Sequence, residues 1–360
     1  MTNTVIVGTA FRDQKPTHES ANYYPWFDWL RAVCACSVML YHDGVLHWVH
    51  AGSFAVEVFF ALSGWLIGGI LLNTEAAKLR QFYFNRAIRI WVPYYIAAAL
   101  LLTLSVLREP VTGKWLEIVF YKLTFVYNLF GIHQLAEFVN SMPQKGTLSH
   151  FWSVNAEEQF YLVAPLILVI GARFFGRSVL VWVLLAGLAL VAESYAAIVL
   201  GVMAAVLVKR WGQWHLTPVG RSILFAIFLS GAFCLARDVC YAQVAPVTGL
   251  SIVMLLAIPA TKHRLGPLFG GMSYPLYLNH WIGVFAFNYL LQGMHGSPIR
   301  HLLSAIANIA FAMCHYWFID KNLMACRASW FTPQRGKLVT TAAYTLMAMG
   351  LGVGFWMWHR

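Results

Sequence analysis

Two runs decide the fold: DWLRAVCACSVMLYH (Asp28–His42) and, after a short turn, VEVFFALSGWLIGGILL (Val56–Leu72). Both are apolar enough to enter a bilayer, where a spanning helix needs about 20 mostly apolar residues. Yet Arg31 and His42 sit in the first and Glu57 in the second. Ionisable groups are costly at membrane depth and usually mark function there. A helix rises about 1.5 Å per residue, so Arg31 and His42 lie about 16 Å apart along the first run. The chain returns in the second run, which puts Glu57 at nearly the depth of His42.

Of the 360 residues, 60% are hydrophobic and 11% are charged. A soluble domain carries roughly 25% charged residues, so the composition is that of an all-α, polytopic transmembrane bundle. The net charge of +11 is dispersed between apolar runs, without the basic tract or basic-aromatic interleaving of a nucleic-acid surface. Cys34, Cys36, Cys234, Cys240, Cys314 and Cys326 show no metal-type spacing and read as small hydrophobes, so no metal is expected. Residues 1–22 are polar and lack the order of a cleavable signal; they are expected to form a cytosolic segment.

Candidate spans fall near 26–43, 54–72, 90–107, 152–172, 178–194, 195–208, 221–236, 244–260, 275–292, 301–320 and 338–358. Ile118–Ile132 is shorter and interrupted by Lys122 and Asn128, and reads as an interfacial or re-entrant helix. With the amino terminus in the cytosol, fifteen loop Lys and Arg residues fall inside and seven outside. That is the expected positive-inside bias, and it holds only if 118–132 does not cross. The expectation is a ten-span core over 23–320, then a basic loop and an eleventh span over 321–360.

Four constellations carry chemistry. His42 with Glu57 is either a general-base pair or a histidine solvated at the membrane interface. In QFYFNRAIR (Gln81–Arg89), Arg86 and Arg89 share a helix face. They are either a phosphate-binding pair or an anchor flanking the third span. In HFWSVNAEEQFY (His150–Tyr161), one glutamate could complement a helix start. Glu157 and Glu158 together, beside Trp152 and at the depth of His42, suggest more. In GGMSYPLYLNHW (Gly270–Trp281), the intramembrane His280 reads first as a packing residue bonded to a neighbouring helix. Buried Arg, His and Glu also suit a transporter or flippase for a small anion or lipid-linked sugar, although no inverted repeat is evident.

Together these motifs resemble the membrane-bound acyltransferase family 3, the O-acyltransferases of bacterial surface polysaccharides and related substrates. Arg31 before His42 is similar to the family's first-helix pattern, and Val56–Ile67 to its second-helix signature, with Glu57 where Asp is usual. Arg86-Ala87-Ile88-Arg89 resembles the RxxR motif, Phe151–Tyr161 the WSLxxEEQFY motif with Val154 for Leu, and Ser273–His280 the SYPLYLxH motif. Tyr316–Asp320 is similar to a terminal pattern that usually carries Glu. Some members append a hydrolase-like domain, which is not expected after the span ending near His359.

The resemblance implies an enzyme of the bacterial inner membrane that transfers an acyl group, acetyl above all, from cytosolic acyl-CoA. The acceptor would be a hydroxyl at the periplasmic face, on a glycan, a lipid-linked glycan or a glycosylated small molecule. It casts His42, Glu57 and Glu157 in catalysis, and Arg31, Arg86, Arg89, Trp152, Glu158 and His280 in substrate binding.

Overall fold

The computed structural model describes residues 23–131, 143–262, 264–294 and 296–359. Among them the only regular secondary structure is helix, and six helices are long and apolar enough to cross a membrane. The protein is a multi-pass membrane protein. Helix α1 (Pro25–His42) opens on a proline, whose fixed φ suits a first helical position. It is followed by α2 (Ala51–Leu71), α3 (Leu79–Val106), and the short α4 (Gly113–Leu123) and α5 (Tyr127–Phe130). After a 3₁₀ segment at Pro143–His150 come α6 (Phe151–Pro165), α7 (Val179–Val191), α8 (Ala196–Trp211), α9 (Pro218–Ala236) and α10 (Tyr241–Leu256). Then follow α11 (Gly266–Asn279), α12 (Trp281–Leu290), α13 (Pro298–His315), α14 (Lys321–Trp330) and α15 (Pro333–Trp358).

The bundle is centred on α2, which packs against α1, α8 and α10. The α2–α8 contact is the closest because both helices present small residues there. A Cβ added to Gly64 would lie 2.1 Å from the Ile198 carbonyl oxygen, and one on Gly201 would lie 2.3 Å from that of Ala61. Helices in a bilayer lack a hydrophobic drive toward one another, so close backbone packing of this kind supplies the attraction. Helix α1 lies against α11, α11 and α12 lie against α13, and α15 lies along α3.

Side-chain distribution matches a lipid surround. On α13, Arg300, Ser304, Asn308 and His315 are buried, whereas Ile299, Leu302 and Ile306 are exposed. That is the reverse of a soluble amphipathic helix.

Alternate connections gather at opposite ends. At the His42 end, His50 Nε2 lies 2.9 Å from Asp238 Oδ1, and Gln243 Nε2 donates to Glu193 Oε1 at 2.7 Å. At the Arg31 end, Lys209 Nζ donates to Asn73 Oδ1 at 2.6 Å, and the Ala260 amide donates to the Tyr23 carbonyl at 3.0 Å.

Two departures from regular helix matter for the site. Between α4 and α5 the backbone breaks at Phe125, whose φ is +59°. The carbonyls released there are captured by side chains. Tyr94 donates to Lys122 O and Tyr95 to Leu123 O, both at 2.9 Å, and Gln159 Nε2 donates to Phe125 O at 2.7 Å. The buried Lys122 donates to Leu148 O at 2.8 Å and lies 3.4 Å from the Tyr127 ring centroid. With 11 residues, α4 is about 16 Å long, roughly half a hydrocarbon core. The second is an interruption of the helix ladder at His280, between α11 and α12 in the apolar run 275–292, where the backbone dihedrals stay helical (φ −59°, ψ −20°). A hydropathy window averages across such an interruption. The loosened turn is again satisfied from outside the backbone ladder, with the Gly283 amide donating to Asn308 Oδ1 at 2.8 Å.

Candidate active site: a basic cavity and a histidine cluster

A cavity of about 570 Å³ enters the bundle from the Arg31 end. Arg31, Arg86, Arg89, Lys262 and Arg327 line it, against three carboxylates, Asp28, Glu157 and Asp320. Each carboxylate has company. Asp28 accepts from the Tyr23 hydroxyl and lies 3.4 Å from Arg31. Burial first, and then that hydrogen bond, raise the Tyr23 phenol above its ordinary value, so it stays a donor. Glu157 accepts from the Ser63 hydroxyl, and Asp320 lies 3.6 Å from His315 Nε2. The π-turn Tyr316–Asp320 turns both of its end residues into the cavity wall; such insertions recur at functional sites.

The Arg86 guanidinium is held over the Phe82 and Tyr161 rings, 5.7 Å from each centroid. Aromatic faces fix the planar group while leaving its N–H edge available. The far end of the cavity is closed by Phe59, Ser153 and Tyr277. There Tyr277 and Ser153 hydroxyls are 2.5 Å apart, and the Tyr277 hydroxyl also donates to His150 O at 2.8 Å.

Directly beyond that wall lie three imidazoles. His42 Nδ1 is 2.8 Å from His280 Nε2, with the rings nearly parallel at 5° and 4.9 Å between centroids. His150 is 4.8 Å from His280 and 6.4 Å from His42, centroid to centroid. Trp281 covers His42 at 5.3 Å. His280 is fully enclosed, and His42 keeps part of its surface open. Among the described residues no group of three or more His, Cys, Asp or Glu could hold a metal ion.

The structure therefore places the expected residues in two neighbouring sites. Arg31, Arg86, Arg89 and Glu157 share the cavity, and His42 and His280 share the cluster. Glu57 makes no hydrogen bond to His42 among the described residues. It sits where the α10 backbone passes close, with Gly249 against its carbonyl. Glu158 is one residue, hence about 100° of helix, away from Glu157; it accepts from Trp91 Nε1 at 2.7 Å and faces α3. Trp152 packs edge-on against Phe60, at 5.7 Å between centroids.

Lys262 and Arg327 join the cavity although a sequence reading counts them only as inside anchors. Lys262 follows α10 and Arg327 lies in α14, adjacent in space and not in sequence, so no local signal marks them. Ser63, Ser153 and Tyr277 are ordinary residues until the fold brings them together. The chemistry available is anion binding along the cavity and proton transfer beyond its end.

A family model described as an acyltransferase domain matches residues 24–317. The chain is 29% identical over 194 residues to the peptidoglycan O-acetyltransferase OatA of Listeria monocytogenes, covering 51% of this chain and 30% of that protein. It is 34% identical over 158 residues to the putative peptidoglycan O-acetyltransferase YrhL of Bacillus subtilis, covering 41% and 24%. A putative O-acetyltransferase of Staphylococcus aureus is 28% identical over 183 residues, covering 45% and 29%. The matches thus span less than a third of each relative's length. No solved structure matches significantly.

Proposed function

The chain belongs to the membrane-bound acyltransferase family 3, and from that premise we propose that it is an integral membrane O-acyltransferase. It moves an acyl group, acetyl first, from acyl-CoA on the cytosolic side to a hydroxyl on the periplasmic side of the bacterial inner membrane. The relatives named for peptidoglycan put an amino-sugar hydroxyl first among acceptors. The amino terminus is cytosolic, residues 23–320 form a ten-span acyltransferase unit, and α15 is an eleventh span. The observation that carries this reading is the placement of a cation-lined cavity end to end with the His42 cluster.

Acyl-CoA pairs three phosphates with a slender pantetheine arm. Arg31, Arg86 and Arg89 hold phosphates through charge-assisted hydrogen bonds, and the arm extends toward Phe59, Ser153 and Tyr277. That wall shifts to bring the thioester to His42. The acceptor reaches His42 from the other side. His42 takes the hydroxyl proton, the oxygen forms its bond to the thioester carbon, and the carbon–sulfur bond breaks. The proton on His42 then passes to the departing thiolate, so CoA leaves as the thiol and His42 is restored. General-base help of this kind contributes about 10²–10⁴-fold.

The test uses purified full-length protein in lipid nanodiscs with labelled acetyl-CoA and an N-acetylglucosamine–N-acetylmuramic acid oligosaccharide. CoA release with label on the sugar is expected. Arg86→Ala with Arg89→Ala should raise the acetyl-CoA KM about tenfold or more, about 1.4 kcal/mol, and leave the acceptor KM within about twofold. An unchanged donor KM would reduce the arginines to topological anchors. Solute flux in proteoliposomes without CoA release would replace transfer by transport.

A further inference from the structure

We propose that His280 is a positioning residue that fixes the tautomer of His42 and so aims the His42 lone pair at the acceptor. The inference rests on the acyl-transfer reading above, and adds to it a member that acts through His42 without touching substrate.

His280 Nδ1 lies 2.8 Å from the carbonyl oxygen of Tyr277. A carbonyl can only accept, so Nδ1 carries the hydrogen of the neutral His280 ring. Nε2 of that ring is then an acceptor. His42 Nδ1 lies 2.8 Å from it, so His42 Nδ1 must be the donor. One hydrogen is all a neutral imidazole carries, and His42 Nε2 is left with its lone pair. The opposite assignment sets the Nδ1 lone pair of His280 against that of the carbonyl at hydrogen-bond distance, which is repulsive.

His280 lies between α11 and α12, and its own ring bonds the carbonyl three residues earlier. The ring is fully enclosed and held by His150 at 4.8 Å and Trp281 at 5.7 Å between centroids. The arrangement has the logic of a serine-protease triad, in which a buried acceptor orients a catalytic imidazole, with an imidazole in place of the carboxylate.

Two readouts test it, on full-length protein in nanodiscs. The first is turnover of acetyl-CoA with the same oligosaccharide. His280→Leu removes the acceptor, and His280→Gln restores an oxygen near the position of Nε2. The expected kcat loss is about 100-fold for His280→Leu and within about tenfold for His280→Gln, each with donor KM within about twofold.

The second readout needs no substrate. Diethyl pyrocarbonate modifies imidazole nitrogens that carry a lone pair, and fragment-ion mass spectrometry counts adducts on His42 itself, apart from His47 and His50 on the same stretch. One adduct is expected in the native protein and in His280→Gln, and a second in His280→Leu. If His42→Ala is inactive but His280→Leu keeps native kcat, the positioning role is overturned and acyl transfer stands. Equal inactivity of both His280 variants, with one His42 adduct throughout, overturns it in favour of plain packing. Full turnover in His42→Ala removes the base itself and the positioning role with it while acyl transfer stands, whereas no CoA release by the native protein overturns acyl transfer.

Discussion

Asp43 follows His42 directly and closes the end of α1. Its Oδ1 accepts from Arg300 at 2.7 Å and its Oδ2 lies 3.1 Å from His301 Nδ1. The Asp43 and Arg300 side chains are 2% and 4% exposed, so neither charge is well solvated. Breaking a buried pair by removing one partner costs about 3–5 kcal/mol, whereas replacing both with apolar groups is often near neutral. Asp43→Ala is expected to lower the thermal midpoint in detergent markedly, and Asp43→Leu with Arg300→Met to recover most of it. A double variant as unstable as the single one would show that the pair is not the cause.

His42 itself was legible as an expensive residue in an apolar run, and its depth followed from helix rise. Its partner was not. Depth places Glu57 beside it, but rotation about the α2 axis is set by the packing of Gly64 and Gly68 on α8, which no spacing reveals. The same limit separates Glu157 from Glu158, adjacent in sequence and turned to different neighbours.

Helices were the most readable level, because each long apolar run becomes one. What hydropathy missed was interruption. The run through His280 reads as a continuous span, while the folded chain interrupts the helix ladder there, with the His280 ring on the Tyr277 carbonyl and Asn308 on the Gly283 amide. The α4–α5 hairpin follows the same rule, with Tyr94, Tyr95 and Gln159 in the role of partners. Non-helical backbone is tolerated in such surroundings only when protein groups satisfy it.

The α2–α8 contact offers a sharp test with an internal control. A Cβ on Gly64 meets backbone, while one on Gly69 meets nothing within 4 Å. Gly64→Ala is expected to destabilise by about 1–3 kcal/mol through overpacking, and Gly69→Ala to be nearly neutral. Thermal scanning of both variants decides it, and equal midpoints would mean that the helices separate freely.

For the molecule as a whole, the basic cavity opens at the Arg31 end of the bundle and meets the histidine cluster at its inner wall. The proposed orientation puts Glu75 in the cytosol and Lys114 outside. In a background without the six native cysteines, Glu75→Cys should react with an impermeant maleimide only after the membrane is opened. Lys114→Cys should react in sealed spheroplasts. The reverse pattern would invert donor and acceptor sides.

The inward polar face of α13 has a consequence for biosynthesis. Arg300, Ser304, Asn308 and His315 make this segment a poor candidate for insertion alone, since polar and ionisable groups on a span are costly until they are paired. Its partners, Asp43 after α1 and the Gly283 amide in α12, leave the ribosome first. The earlier helices must therefore wait as an open cradle with their polar groups unmatched, and the arrival of α13 closes them. Assembly of this protein is in that sense a late, cooperative event, and truncation before residue 298 should leave a chain that quality-control proteases recognise.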